Sequence, residues 1–175
     1  AIILPILLSL SFWQYQRGLE KSKLESFINN QQTKPPTEFI SLEYASPSQW
    51  YRPFFMQGKF SKKTVLVDNA IYEGVRGFSV YQEFLSNNGL SLLVSKGWSN
   101  SFDNSKKTLN QNYLLQGVFR PIEKAFTIDN SIYEREESDL EMQSFDIDSI
   151  NLKWNTNFPA VVFELDEFSL DGFSR

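Results

Sequence analysis

The chain contains no histidine and no cysteine in 175 residues. These absences remove Ser-His-Asp and Cys-His triads, zinc sites built on imidazole or thiolate, iron–sulfur clusters, thiol redox chemistry and His or Cys haem ligation from this stretch. Methionine is scarce: Met56 and Met142 are the only soft ligands, and each reads as a packing residue. No Walker loop, G-x-G-x-x-G, H-x-E or G-x-S-x-G pattern occurs. The serines lack an imidazole partner, and the seven tyrosines form no haem motif. Paired carboxylates exist, such as Asp146 with Asp148 and Glu164 with Asp166. The second pair alternates along an expected strand, so both side chains share a face and are expected to point to water. The residue inventory argues against an enzyme. A basic excess is also missing: 17 basic against 21 acidic residues leave a net charge of −4, which argues against a general nucleic-acid binder. Zero cysteines leaves the redox compartment open.

What is present describes a globular chain. It is 41% hydrophobic and 15% aromatic, and its length suits one domain. Such a domain buries about 70% of its unfolded surface, so no metal or disulfide staple is required.

Ala1 to Trp13 (AIILPILLSLSFW) carries no charge. Thirteen helical residues span about 20 Å, short of a hydrocarbon core of about 30 Å. A buried core helix, a signal-peptide remnant and the outer end of a transmembrane helix compete. A signal remnant lacks the charged n-region and the small-residue cleavage site. The sequence then turns polar without a break, through Arg17, Glu20, Lys21, Lys23 and Glu25, while Leu24, Phe27 and Ile28 keep helical spacing. That favours a membrane helix continuing into water, with Trp13 and Tyr15 at headgroup level. Residues 1–30 therefore read as membrane helix and soluble extension, 31–49 as a connecting arm, and 50–175 as a β-rich domain.

Within the arm a short strand is expected at Glu38–Leu42. Strands follow at Trp50–Phe60, where Pro53 suggests an edge and Gly58 a bulge, and at Thr64–Asp68. Asn69–Arg76 has the polarity of a loop, and Gly77–Leu85 alternates as a strand, with Phe78, Val80 and either Gln82 or Phe84 in phase. Asn87-Asn88-Gly89 signals a type I′ hairpin turn into Leu90–Trp98. Asn100–Asn110 reads as polar and exposed, Tyr113–Phe119 as a strand, and Phe126–Asp129 as a short one. Glu134–Glu141 reads as a solvated acidic loop, with Ca²⁺ binding by carboxylates and carbonyls as the alternative, although the spacing does not match an EF-hand loop. Asp146 is placed to cap a short helix over Ile147–Lys153, with Ile147 and Ile150 on one face, and Ala160–Leu165 is the last strand. The expected fold is α+β and mainly β: an antiparallel sheet or partly open barrel of about six strands, preceded by an N-terminal membrane-proximal helix.

Five ordered motifs resemble the Surf1/Shy1 family of cytochrome c oxidase assembly proteins over nearly the whole chain. A Trp-Gln-x-x-Arg-x-x-x-Lys pattern stands as Trp13-Gln14, Arg17 and Lys21. A Tyr/Phe-Arg-Pro strand leading to Gly-x-Phe stands as Tyr51-Arg52-Pro53, Gly58 and Phe60. Asp-Asn-Arg followed by Gly-Tyr-x-Val stands as Asp68-Asn69-Ala70 and Gly77-Phe78-Ser79-Val80. Leu-Val-Asn-Arg-Gly-Trp stands as Leu93-Val94-Ser95-Lys96-Gly97-Trp98, and Gly-x-x-Arg-Pro as Gly117, Arg120 and Pro121. Ala70 and Ser95-Lys96 depart from the pattern, and lysine keeps the charge of arginine but not its planar fork. Trp13 and Arg17 read equally as an interfacial anchor or a partner contact. Gly58, Gly77, Gly97 and Gly117 read as backbone necessities, and Trp98 as core. Arg52 is the best candidate for a functional or buried-pair cation.

The resemblance implies a membrane-anchored, non-enzymatic assembly factor for haem–copper oxidase that assists haem a insertion or delivery into subunit I. The alternative is a membrane-tethered scaffold that stabilises an assembly intermediate without contacting haem. The implied partners are oxidase subunit I, the haem a synthase and membrane lipid. The implied location is the bacterial inner membrane with the domain in the periplasm, ahead of the mitochondrial inner membrane. A second membrane helix is expected beyond Arg175. Any haem a ligand is expected outside this chain, because the family's suspected ligand is a histidine.

Overall fold

The computed structural model describes residues 3–100, 111–122, 131–136 and 138–166. Helix α1, Ile3–Gln32, runs 30 residues without a break. The apolar residues at its start are exposed, from Ile3 to Trp13. Among the described residues no helix is long and apolar enough to cross a membrane.

The strands are β1 (Thr37–Glu38), β2 (Pro53–Tyr72), β3 (Val75–Ser86), β4 (Ser91–Ser99), β5 (Tyr113–Pro121), β6 (Tyr133–Glu136), β7 (Asp139–Met142) and β8 (Val161–Leu165). Strands β2, β3, β4, β8 and β5 close on one another into a barrel, because β5 pairs with the first half of β2 and β3 with the second. The barrel is mixed: β4 and β8 run parallel, through only two register pairs, Val94↔Phe163 and Ser95↔Glu164. The β6–β7 hairpin extends the sheet by a parallel pairing of β7 on β2. The fold is thus α+β and mainly β, with a closed barrel and extra strands.

Several local expectations change. The segment 69–76 is not a loop. β2 is one 20-residue strand that bends at bulges between Phe60 and Thr64 and between Val67 and Ala70. It turns into β3 through Glu73-Gly74 alone, both with positive φ (50° and 79°). That is the two-residue type I′ geometry. The Asn87-Asn88-Gly89 turn differs from I′, since only Gly89 has positive φ there. Its N–H donates to the Ser86 carbonyl, and Ser86 N–H donates to that of Leu90. Three loop residues, Asn87 to Gly89, make this a type I turn closed by a glycine bulge at Gly89. Pro53 begins β2 between β5 and β1, so the start of the strand is not a free edge; a first residue gives up no ladder donor. The arm's strand covers only Thr37–Glu38, after which Leu42–Ala45 and Pro47–Gln49 form 3₁₀ turns. The acidic stretch 134–141 contributes to the β6–β7 hairpin rather than a loop. The expected strand at 126–129 and most of the polar segment 100–110 lie outside the described residues.

Alternation sorts the core into two clusters. Leu92 and Val94 of β4 face the barrel interior with Phe54, Met56, Phe84 and Phe163, while Leu93 faces the other way. The connecting arm adds Phe39, whose ring lies 5.0 Å from Phe119 and 6.4 Å from Phe54. Asn88 holds that arm by donating to the Phe39 carbonyl at 2.8 Å. On the outer face, Leu93 and Val65 pack with Met142, Phe145 and helix α2, Ile147–Trp154. Asp146 caps α2 as expected, accepting from the Asp148 amide, and Ile147 and Ile150 are buried. Met56 and Met142 are both core residues.

Candidate functional site

The motif residues fall into three groups. Trp13, Gln14, Arg17 and Lys21 lie exposed on α1, with the Arg17 guanidinium 5.5 Å from the Trp13 ring centroid. Eighteen residues separate Trp13 from Gln31, roughly 27 Å of helix. This group therefore stands well away from the barrel.

The second group is the foot of that helix. Gln31 is buried, donates to the Ser48 carbonyl at 2.7 Å and accepts from Lys34 Nζ at 2.7 Å. Phe27 meets the ring of Tyr51 edge-on at 6.3 Å. Tyr51 has φ of 64°, a left-handed conformation that costs a non-glycine residue about 1 kcal/mol or more. Its N–H donates to the Phe119 carbonyl at 3.0 Å, which ties the strained residue to β5. Arg52 reaches Thr37 Oγ1 at 2.6 Å and Gln49 Oε1 at 3.2 Å, and its guanidinium lies 5.7 Å from the Phe54 ring centroid. Among the described residues its buried Nε has no hydrogen-bond partner and no carboxylate forms an ion pair with it. Arg52 is thus a half-buried cation that pins the connecting arm to the barrel.

The third group is the β3–β4 ladder. Lys96 is the extra residue of a bulge, since Tyr81 pairs with Ser95 and Val80 with Gly97. Gly97 takes φ of 100° there, open to glycine alone. Lys96 is 4% exposed, donates to Gln82 Oε1 at 3.1 Å and lies 5.2 Å from the Phe60 ring centroid. Burial lowers its pKa from 10.5 to about 8. Trp98 is half-buried, its ring lies tilted by 36° against that of Tyr72 at 5.5 Å, and it donates to the Ala70 carbonyl at 3.0 Å. A Cβ on Gly77 would sit 2.6 Å from the Trp98 ring, so two separate motifs describe one contact. Gly58 is where β2 passes from β5 to β3; a Cβ there would lie 2.1 Å from the Leu85 carbonyl oxygen.

A cleft beside these groups gathers Tyr51 with Arg120 and Pro121 of the Gly-x-x-Arg-Pro motif and with Glu164. Tyr81, Ser95 and Glu164 form one row across β3, β4 and β8 on the outer face of the barrel. With Arg120, Tyr51 and Phe145 they line this cleft of about 340 Å³. Arg120 Nε pairs with Glu164 Oε2, so Glu164 does not simply face water. A second cleft, of about 580 Å³, shares this ion pair and extends to Gln32 and Lys34 at the foot of α1. Burial raises the Tyr81 pKa above 10.0, the Glu164 charge adds to the rise, and a hydrogen bond with Ser79 opposes it. The phenol is therefore neutral at physiological pH. Alternation alone signals Glu164, since Val161, Phe163 and Leu165 point inward. The neighbouring strands are visible only in the closed barrel.

Helix α1 meets the barrel through its last turns, and the two clefts lie near its foot. The family model of the SURF1 family matches residues 1–172, and the chain belongs to that family. Membership gives it a role in cytochrome oxidase assembly and a membrane-associated setting compatible with an inner membrane. No curated protein matches the chain closely.

Proposed function

We propose that this protein is a membrane-anchored, non-enzymatic assembly factor that docks on oxidase subunit I at the stage when haem a is inserted. Helix α1 carries this reading. Its exposed apolar run from Ile3 to Trp13 leads without a break into a polar helix whose foot is fixed to the barrel. That layout suits a lipid-embedded end with Trp13 and Arg17 at the headgroups. The barrel would then stand roughly 27 Å away, on the periplasmic side of a bacterial inner membrane, able to meet subunit I or the haem a synthase.

The residue inventory favours an axial ligand for haem a supplied from elsewhere, since the seven tyrosines form no haem motif. The chain has no imidazole or thiolate, and the thioethers of Met56 and Met142 are sealed in the core. A ligand would come from outside residues 1–175. The work assigned to this chain is docking and positioning: α1 sets the height of the barrel, and the clefts at its foot present polar groups to a partner.

The test is to express the native protein in cells that make haem a, purify it in detergent, and record a visible spectrum and pyridine haemochrome beside residues 1–175. Co-purification of subunit I with stoichiometric haem a on the native protein alone is the expected result. Subunit I without haem in either sample would favour a scaffold that stabilises an assembly intermediate. Haem on residues 1–175 alone would overturn the ligand argument, and failure to capture subunit I would overturn the docking reading.

A further inference from the structure

We propose that the outer cleft over β3, β4, β8 and β5 binds a carboxylate carried on a flat apolar body, anchored by Arg120. The inference goes beyond the assembly role, and only its exclusion of a lipid ligand rests on the membrane reading of α1. The anchor is half used. Arg120 Nε forms an ion pair with the buried Glu164 Oε2, which accepts no hydrogen bond among the described residues, and the two terminal nitrogens of Arg120 have no partner there. Those nitrogens form the edge of the guanidinium that receives a carboxylate bidentately. Ser95 and Tyr51 add hydroxyl groups with no hydrogen bond among the described residues. The row Tyr81, Ser95 and Glu164 places the polar groups in line, and Phe145, with its ring 4.5 Å from Tyr81, supplies an aromatic wall. Ile122 and Val162 complete the apolar lining. A volume of about 340 Å³ lies at the small end of small-molecule sites.

Donor geometry selects the class. The Arg120–Glu164 pair is neutral overall, so an anion is drawn by the two outward N–H groups rather than by net charge, and a monoanion meets less repulsion from Glu164 than a phosphate dianion. A cation would meet the free edge of Arg120. A lipid headgroup is disfavoured by position, because the apolar run of α1 ends roughly 27 Å up the helix from the foot. A free aromatic acid and an acidic side chain beside an aromatic one on a partner protein share the required chemistry.

The test is calorimetric titration of the chain, in maltoside detergent, with 3-phenylpropionate, its neutral amide 3-phenylpropanamide, and a blocked Glu-Phe dipeptide. The acid should bind at least about tenfold more tightly than the amide, as befits hydrogen bonds to a charged group. Glu164→Gln should tighten the acid by freeing the whole guanidinium, whereas a merely structural ion pair would give no gain. Arg120→Gln should abolish the preference for acid over amide. Because that change strands Glu164, the double variant Arg120→Gln/Glu164→Gln checks it with the charge balanced, and unchanged tryptophan emission confirms folding. Tighter binding of the free acid than of the dipeptide identifies a small-molecule ligand, and the reverse identifies a partner side chain; both support the anchor. Equal binding of acid and amide, no binding of either acid, or weaker acid binding in Glu164→Gln overturns it.

Discussion

Replacing Lys96 by methionine should stabilise the protein at neutral pH and leave it unchanged at pH 10. Lys96 is enclosed in the barrel beside Gln82 and Phe60, and burial lowers its pKa from 10.5 to about 8. That difference corresponds to about 3 kcal/mol of native-state cost when the amine is charged. The sign follows from proton binding. Between pH 8 and 10.5 the unfolded chain holds this proton and the folded one releases it, so stability rises with pH through that window. Below pH 8 both states are protonated and the full cost is present. Above 10.5 both are neutral and it is gone. Methionine keeps the shape and carries no charge, but Gln82 Oε1 loses its donor, at a cost of about 1 kcal/mol. Lys96→Met should therefore gain about 2 kcal/mol at pH 7 and about zero at pH 10. Urea unfolding followed by tryptophan fluorescence, run on both proteins in maltoside at each pH, measures the difference, and effects of other titrating groups cancel between them. A difference that stays constant from pH 7 to 10, or a variant less stable throughout, would refute the account of Lys96 as a desolvated cation.

Gly77→Ala should destabilise by about 2–3 kcal/mol and shift tryptophan emission, because its methyl would press on Trp98 and on the Ser99 carbonyl oxygen, 2.4 Å away. Phe119→Ala should cost about 3–5 kcal/mol in urea unfolding, since its buried ring packs against Phe39, Phe54 and Phe163. Asp146→Ala should cost only about 1 kcal/mol by the same assay, through loss of the cap on α2.

Much of this fold was legible where pattern and physics were local. The short helix α2 was readable because Asp146 caps it and Ile147 and Ile150 share its buried face. The last strand was readable because Pro159 introduces an alternating apolar run. Residues 69–76 misled because polarity marks a loop only when solvent is the alternative. Here β3 covers Ala70, Ile71 and Tyr72 as ladder partners. Closure of the barrel was not legible, since the parallel β4–β8 pairing joins residues far apart in sequence. The candidate site divides in the same way. Tyr51, Arg52, Lys96 and Trp98 carry ordered motifs. Arg120 stood in the Gly-x-x-Arg-Pro motif, yet its role depends on Glu164, a cross-strand neighbour that only register reveals.

The β4–β8 junction is the barrel's weakest stave. Every other joint of the ring is held by at least five register pairs, and this one by two. Ser95 and Glu164 therefore lie on the line where the ring has the fewest ladder pairs to resist local opening. The cleft straddles that line. A guest held between Arg120 and Ser95 would act as a clasp, slowing amide exchange along β8 without touching the core, and the resting protein would feel its tenancy as stiffness before it felt it as shape.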